Sequence, residues 1–237
     1  MTTGKSYLRA YIKTVGAPGD KISQALVSAK EVCGDIEFCT TEQYGEHSIE
    51  LIYGTDKSQS VFDSVMDAAL GVLNDYVYAL EDVTLAEIFV RLLKSRNMKI
   101  CVAESFTGGG VSKRLVEVSG ASEVFYEGLN TYSNEAKMSR LGVKETTLKQ
   151  YGAVSEQTAE EMAEGLILSG NCDISISTTG IAGPNSDNTN KPVGLFYIGI
   201  ATKDGVQVFK YNLKGSRKTI METAINFALF LAYKSIK

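Results

Sequence analysis

The stretch of residues 99–110 constrains the fold of this chain more than any other. Its first half, residues 99–103, is apolar enough for a short buried strand, and its second half, residues 104–110, is a polar turn that ends in three glycines. A helical spacing of apolar residues follows at once. Ser105 directly follows the predicted strand and so lies at its carboxyl end, where open α/β sheets bind ligands. The glycines would let the backbone approach such a ligand, and the helix N-terminus would add unpaired N–H donors. An ordinary strand-to-helix turn is the alternative interpretation.

The composition argues against nucleic acid or a membrane as a partner. The 237 residues suit one large domain or two small ones, and 24 Lys and Arg against 28 Asp and Glu give a net charge of −4. This balance implies no basic face in bulk. The N-terminus lacks the apolar core of a signal peptide, and no run reaches the length of a membrane span, so we expect no membrane association.

The cysteines and the histidine argue against metal chemistry. The four cysteines show no CxxC spacing, which predicts a reduced, cytoplasmic protein without a zinc site. The only histidine, His47, lies in a polar stretch that favours a loop. If the chain is an enzyme, we therefore expect a general base other than histidine, and most transition-metal chemistry is excluded as well.

Residues 1–78 are predicted to form a small α+β module. Apolar spacing indicates strands near residues 7–14, 35–40 and 48–53, with helices through residues 22–32 and 61–72. This β-α-β-β-α order places both helices on one face of the sheet. The loop Gly-Ala-Pro-Gly at residues 16–19 suggests a KH-type nucleic-acid clamp, but Lys21 is the only basic residue close by, which favours a structural or assembly role.

Residues 79–237 form the second predicted domain, and the boundary near residue 78 lies within a predicted connector at residues 74–82. Three of its predicted strands end in polar residues, at positions 104–107, 131–134 and 178–180. If these strands are parallel, the three polar segments lie on one rim of the sheet. The long polar loop of residues 179–192 follows the third strand, and loops of this length are usually functional.

This rim predicts a serine–lysine pair. Ser133 is a plausible N-cap, and Lys137, four residues later, points back toward the rim. A serine needs a base to act as a nucleophile, and a neutral lysine is the candidate in the absence of histidine. Tyr132 would relay the proton or hold the lysine, and the N–H groups of residues 106–109 would form an oxyanion hole. The arrangement suits acyl transfer such as amide hydrolysis; the alternative is a solvated Lys137 and a core Tyr132.

Five segments carry a resemblance to a known family. They are Ala103-Glu104-Ser105-Phe106-Thr107-Gly108-Gly109, Thr131-Tyr132-Ser133-Asn134-Glu135-Ala136-Lys137, Gly152-Ala153-Val154-Ser155, Thr179-Gly180-Ile181-Ala182-Gly183-Pro184 and Lys191-Pro192-Val193-Gly194. In this order and spacing, residues 84–235 resemble the C-terminal domain of the CinA family, also known as nicotinamide-nucleotide amidases. The N-terminal module resembles the KH-like middle domain of longer CinA proteins. The molybdopterin-binding-like domain that usually precedes it is missing from this sequence, so we expect its ADP-ribose pyrophosphatase activity to be missing too.

The resemblance implies a fold and a reaction. The fold is a three-layer α/β/α sandwich with a mixed, mostly parallel sheet. The reaction is hydrolysis of the carboxamide of nicotinamide mononucleotide (NMN) to nicotinic acid mononucleotide and ammonia, a step of pyridine nucleotide salvage that needs no metal and no other cofactor. The family also implies a cytoplasmic homo-oligomer, such as a dimer. Its expected binding partner is the small-molecule nucleotide substrate.

The resemblance also assigns residues. Ser105 is the nucleophile, Lys137 the base and Tyr132 an assisting group, and Arg217 binds the substrate phosphate, a task that its forked donors suit. The residues implied in substrate binding are Thr107, Gly108, Gly109, Thr131, Asn134, Thr179, Gly180, Gly183 and Arg217. An unperturbed lysine has a pKa of about 10.4, so Lys137 can act as a base near neutral pH only if its pKa is lowered. Burial would lower the pKa, and a nearby Arg217 would lower it further. A carboxylate beside Lys137 would raise the pKa, so Glu104 should face away or pair elsewhere.

Two departures from the family pattern leave a second function open. Phe106 stands where the family usually has cysteine, and a ring beside the nucleophile would narrow the pocket or change the substrate. Residues 185–188, Asn-Ser-Asp-Asn, follow Pro184 where the family commonly has glycines. The alternative function is a non-catalytic nucleotide-binding or partner protein in DNA uptake or the damage response.

Overall fold

A computed structural model describes residues 7–185 and 190–237. The chain forms two compact units, the first ending at Thr84 and the second beginning at Leu85. The sequence places the boundary near residue 78, six residues earlier. The difference arises because residues 77–79, predicted as part of a connector, form a strand of the first unit.

The first unit has the order β-α-β-β-α-β, one strand more than the sequence predicts. Its elements are β1 (Tyr7–Val15), α1 (Gly19–Val32), β2 (Glu37–Gln43), β3 (Glu46–Gly54), α2 (Gln59–Leu73) and β4 (Val77–Ala79). The sheet order is β2-β3-β1-β4, and every pairing is antiparallel. This is the ferredoxin-like arrangement. Its own core lies between sheet and helices, with Ile12, Ala25, Leu51 and Val65 at 1% exposure or less.

The Gly-Ala-Pro-Gly loop of the first unit is held in place by that unit's own backbone. The Gly16 N–H donates to the Gly45 carbonyl at 2.8 Å, and Gly16 has a φ of 74°, which glycine adopts without strain. Ala17 is buried, and Pro18 is the N-cap of α1. These contacts agree with the structural role that the scarcity of basic residues favours.

The second unit contains eleven α-helices and β-strands within the described residues. They are α3 (Leu85–Ser95), β5 (Ile100–Glu104), α4 (Gly110–Val116), β6 (Phe125–Asn130), α5 (Asn134–Leu141), α6 (Glu145–Tyr151), α7 (Glu156–Leu168), β7 (Ile174–Gly180), β8 (Leu195–Thr202), β9 (Gly205–Asn212) and α8 (Arg217–Ser235). A 3-10 helix (Ala121–Glu123) lies between α4 and β6. Helix α6 is not predicted from the sequence, because only Thr147 and Leu148 of its seven residues are buried and they give no helical period.

The sheet of the second unit is mixed, with most strands in one direction. Its order is β6-β5-β7-β8-β9; β5 pairs in parallel with β6 and β7, whereas β8 is antiparallel to both β7 and β9. Four of the five strands therefore point the same way. Helices α3, α4 and α8 pack together on one face, and α5, α6 and α7 pack on the other, which confirms the three-layer α/β/α fold.

The two faces of β5 decide where its side chains go. All five residues of β5 are buried, as expected for a central strand covered on both faces. Side chains alternate between the faces of a strand. Cys101 and Ala103 pack in the core under α5, α6 and α7, so Ser105 continues that face, whereas Glu104 and Phe106 point to the face of α4 and α8.

Among the helices of the described residues, none combines the length and the apolar character that a membrane span requires.

Candidate active site

Ser105 lies at the carboxyl end of the central strand, as predicted. It follows β5 directly, and its N–H donates to the Thr178 carbonyl of β7 at 3.0 Å. Thr131, which follows β6, donates its N–H to the Glu104 carbonyl at 2.8 Å. The ends of three parallel strands thus meet at one rim, which is where the sequence places the candidate chemistry.

Lys137 contacts Ser105 from helix α5. The Ser133 side chain caps this helix by accepting a hydrogen bond from the Ala136 N–H at 3.1 Å, and Lys137 follows one turn later. The Lys137 Nζ donates to Ser105 Oγ at 3.1 Å, to the Thr131 carbonyl at 2.7 Å and to the Tyr132 carbonyl at 3.2 Å. Lys137 is only 1% exposed, so the alternative of a solvated helix lysine is wrong.

Burial changes the titration of Lys137. Because the buried side chain is desolvated, its pKa falls from 10.5 to about 8. A neutral amine has two N–H donors and one lone pair, which match two carbonyl acceptors and one hydroxyl donor. The same three partners satisfy the three N–H groups of the cation, with Ser105 Oγ accepting. A proton can therefore move between Ser105 and Lys137 without rearrangement. Desolvation alone causes the shift, so the expected contribution of Arg217 is not present.

Glu104 pairs away from Lys137, as the sequence analysis expects. Its carboxylate is 1% exposed and lies at the start of α4. Oε2 accepts from the N–H groups of Gly109 at 3.1 Å and Val111 at 3.0 Å, and Oε1 accepts from the Ser112 N–H at 2.9 Å and the Ser112 Oγ at 2.7 Å. The negative charge is thus held by α4 and does not ion-pair with the lysine.

The turn after Ser105 keeps two of its four backbone donors available. The Gly108 N–H donates to the Ser105 carbonyl at 3.2 Å, and the Gly109 N–H is bound by Glu104. The N–H groups of Phe106 and Thr107 have no acceptor among residues 7–185 and 190–237. The predicted oxyanion hole is therefore reduced to these two groups. Phe106 directly follows Ser105, and the residue after the nucleophile supplies one oxyanion-hole donor in α/β-hydrolases.

Tyr132 contacts the pair through its backbone. Its carbonyl accepts from Lys137, whereas its side chain is 67% exposed. The alternative of a core aromatic residue is wrong for the same reason. A direct role of the phenol in proton transfer stays a prediction from the family resemblance.

Phe106 does not stand beside the serine hydroxyl. Its ring is 4% exposed and stacks on Phe196 with 5.5 Å between centroids. Phe196 in turn stacks on Tyr211, and the Tyr211 ring contacts that of Phe227 of α8 at an interplanar angle of 58°. The bulky residue that replaces the usual cysteine therefore fills the core on the α8 face, opposite to the face of Lys137. This placement removes the reason to expect a narrowed pocket.

Arg217 begins helix α8 and contacts the loop that follows β7. Its Nη1 donates to the Gly183 carbonyl at 2.8 Å, which occupies one of its five N–H donors. With Lys218, Met221 and Glu222 it also lines an open groove of about 380 Å³. Residues 186–189, which include three of the four residues that depart from the family pattern, lie outside the described residues.

The remaining substrate-binding predictions divide into surface and buried positions. Asn134, the first residue of α5, is exposed. By contrast, Thr107 Oγ1 hydrogen-bonds Thr178 Oγ1 at 2.6 Å, and Thr179 Oγ1 donates to the Ala153 carbonyl at 2.6 Å. The structure gives both buried hydroxyls protein partners. Gly180 ends β7 where an added Cβ would lie 2.4 Å from the Phe196 Cβ, so close packing of the strands accounts for this glycine.

Lys191 makes two contacts that the sequence does not predict. Its Nζ donates to the carbonyls of Tyr151 and Val154, each at 2.6 Å, and so ties the loop after β7 to the turn before α7. The signal was present, because Lys191 and Val154 both belong to segments that match the family. Their spatial relation follows only from the fold.

A larger groove of about 610 Å³ lies at the opposite edge of the sheet. Its lining includes Met98 and Asp173, which precede β5 and β7, and Thr202 at the end of the antiparallel strand β8. These positions mark the amino ends of the parallel strands. The groove is therefore separate from the rim that carries Ser105.

Known proteins match the second unit. The family model for the CinA C-terminal domain matches residues 82–236. A relative named as a competence-damage inducible protein, from Caldicellulosiruptor saccharolyticus, is 44% identical over 193 residues, which cover 79% of this chain and 47% of the relative. A CinA-like protein from Kosmotoga olearia is 48% identical over 66% of this chain and 38% of its own length. The chain thus spans less than half the length of these curated relatives.

Solved structures agree in fold. A CinA superfamily protein from Klebsiella pneumoniae 700603 aligns with a TM-score of 0.62 and 29% identity, over 64% of this chain and 95% of that one. The competence/damage inducible protein CihA from Agrobacterium tumefaciens aligns with a TM-score of 0.61 and 34% identity, over 63% of this chain and 93% of that one. The family match covers more than half of the sequence and contains every residue of the rim. The chain belongs to the CinA family.

Proposed function

We propose that this chain hydrolyses the carboxamide of NMN to nicotinic acid mononucleotide and ammonia. Neutral Lys137 takes the proton of Ser105 as Oγ attacks the carboxamide carbon, and the N–H groups of Phe106 and Thr107 stabilise the oxyanion. Lys137 then gives that proton to the leaving nitrogen, so that the C–N bond breaks and ammonia departs. Water, deprotonated by Lys137, hydrolyses the resulting ester and restores Ser105.

The observation that carries this proposal is the contact between Lys137 Nζ and Ser105 Oγ. At 3.1 Å the two atoms are within hydrogen-bond reach, and burial brings the pKa of the lysine to about 8. A lysine without a function is rarely buried unless a carboxylate pairs with it. Glu104, the only acidic residue in the three rim segments at residues 104–107, 131–134 and 178–180, is bound to the start of α4 instead. A neutral amine aimed at a serine is the arrangement that Ser–Lys hydrolases use.

The nucleotide part of the substrate rests on Arg217 and on family membership. Arg217 is exposed, lines the 380 Å³ groove and has donors left after its bond to Gly183. A forked guanidinium suits a phosphate. Membership of the CinA family agrees with this substrate but does not by itself specify it.

The direct test is ammonia release from NMN by the purified chain. We expect turnover by the wild type and a loss of several orders of magnitude in Ser105→Ala. Ser169→Ala is the matched control, because it removes a hydroxyl at the end of α7 that donates to the Leu166 carbonyl and accepts from the Asn171 N–H. Binding of NMN without ammonia release by the wild type would instead favour the non-catalytic function.

A further inference from the structure

Glu104 is the most heavily bonded charged group at the rim, and the mechanism above gives it no role. Its carboxylate is buried and accepts four hydrogen bonds, all from residues 109–112 at the start of α4. Burying a carboxylate is costly unless every oxygen is paired. Both oxygens are saturated here, and the side chain points to the face opposite Ser105, so Glu104 is neither the base nor a proton donor.

Helix α4 depends on this carboxylate for its N-terminal cap. Its own N-cap residue, Gly109, has no side chain to accept the first N–H groups. Glycine suits that position because its φ of 97° is one that L side chains rarely adopt. A helix of seven residues is too short to be stable without such support. Glu104 therefore supplies from the strand the cap that Gly109 lacks.

The backbone of Glu104 supports the base as well. Its carbonyl accepts the Thr131 N–H at 2.8 Å, and the Thr131 carbonyl accepts from Lys137 Nζ at 2.7 Å. One residue thus holds the turn that carries the nucleophile and the strand end that anchors the lysine. The turn at residues 105–109 is fixed at one end by β5 and at the other by the Glu104 carboxylate.

We propose that Glu104 is a positioning residue for the attack by Ser105. Its carboxylate sets the path of residues 105–109 and, with it, the direction of the N–H groups of Phe106 and Thr107. This inference deepens the proposed function and rests on it. Glu104 acts through the turn, so its loss changes the rate at which Ser105 reacts more than the affinity for substrate.

Glu104→Gln tests the proposal with little change in size. The amide replaces one acceptor oxygen with an NH₂ group, which then faces N–H donors of α4. We expect kcat to fall about 100-fold, as for a misplacement of reacting groups by about 1 Å, with KM within about twofold of wild type. The pH midpoint should stay near that of the wild type, because burial of Lys137 sets it. Ser112→Ala removes only the hydroxyl donor to Oε1 and should give a smaller loss of the same kind.

Labelling of Ser105 by phenylmethylsulfonyl fluoride provides a readout that does not require NMN. The Ser105 oxygen forms a bond to sulfur, fluoride leaves with the S–F electron pair, and Lys137 takes the serine proton. Intact-protein mass spectrometry gives both the rate constant and the final stoichiometry. Thr147→Ala is the matched control, because it removes a buried hydroxyl that donates to Glu161, at 2.8 Å and away from the rim.

The outcomes separate the inference from the proposed function. We expect Glu104→Gln to label slowly but to full stoichiometry, and Thr147→Ala to label at the wild-type rate. A wild-type rate constant in Glu104→Gln, or a loss of stoichiometry alone, overturns the positioning role and leaves the amidase proposal intact. If Glu104→Gln does not fold, a wild-type rate in folded Ser112→Ala overturns it. If neither the wild type nor Ser105→Ala is labelled, Ser105 is not reactive, and both the positioning role and the amidase proposal are overturned.

Discussion

At the scale of single residues, the account depends on the desolvation of one lysine. Lys137 has three acceptors and no carboxylate partner among them, so its cation is held by uncharged groups. Its pKa of about 8 in the folded chain is lower than the 10.5 of a solvated lysine. The unfolded chain therefore binds more protons between these two values, and stability rises with pH across that window.

Replacing Lys137 with methionine should separate stability from activity. Below pH 8 the wild type bears the full cost of the buried cation, about 3 kcal/mol for a shift of this size. Lys137→Met lacks that cost, so we expect it to be as stable as the wild type or more stable at pH 7. Its advantage should shrink as pH rises from 8 to 10.5. Denaturant unfolding at several pH values measures this, and an advantage that grows with pH would contradict the burial argument.

Arg217→Ala should weaken binding of a phosphorylated substrate more than it slows chemistry. Loss of a charge-assisted contact costs about 1.5–3 kcal/mol, which appears as an increase in KM for NMN. The unphosphorylated riboside, which has no group for Arg217, should be little affected. Steady-state ammonia release from both substrates measures the difference. Equal losses on the two substrates would show that Arg217 only holds the Gly183 loop.

At the scale of helices and strands, most of the second unit is predictable because its signals are local. The cap Ser133 and the glycine turn before α4 lie where the sequence places them. The short strand β4 was missed because three residues show no periodicity, and its pairing with β1 is a tertiary property. The sequence also indicated that Ser105 and Lys137 meet. It gave no sign that Glu104 caps α4 or that backbone carbonyls hold the Lys137 amine, because these contacts too are tertiary.

Removing the cap of α5 should affect activity beyond its effect on stability. Ser133→Ala deletes the acceptor for the Ala136 N–H and should cost about 1 kcal/mol of unfolding free energy. Ser58→Ala is the matched control, because Ser58 caps α2 in the first unit by accepting from the Val61 N–H. We expect similar destabilisation in both but a lower kcat only in Ser133→Ala, since α5 carries Lys137. Equal kcat values in the two variants would mean that the cap does not position the base.

At the scale of the whole molecule, the second unit contains every candidate residue. The family match begins at residue 82. About two thirds of this chain aligns with more than nine tenths of each of the two solved structures. Each unit also has a hydrophobic core of its own. The sequence places the boundary near residue 78, whereas the first compact unit of the structure, which includes β4, ends at residue 84.

A chain of residues 82–237 should therefore fold alone and retain the proposed activity. We expect a cooperative thermal transition and ammonia release from NMN at a rate close to that of the full chain. Circular dichroism and the ammonia assay check the two expectations. A truncated chain that folds but is inactive would show that the first unit contributes to the site.

The pH dependence of kcat/KM for NMN tests the central claim most directly, because this quantity reports the titration of the free enzyme's base. If buried Lys137 takes the proton of Ser105, kcat/KM should rise with a midpoint near pH 8 and then level off. Lys137→Met should have no such rise and no turnover. A flat profile from pH 6 to about 10, or a Lys137→Met variant that keeps the wild-type midpoint, would place the base elsewhere.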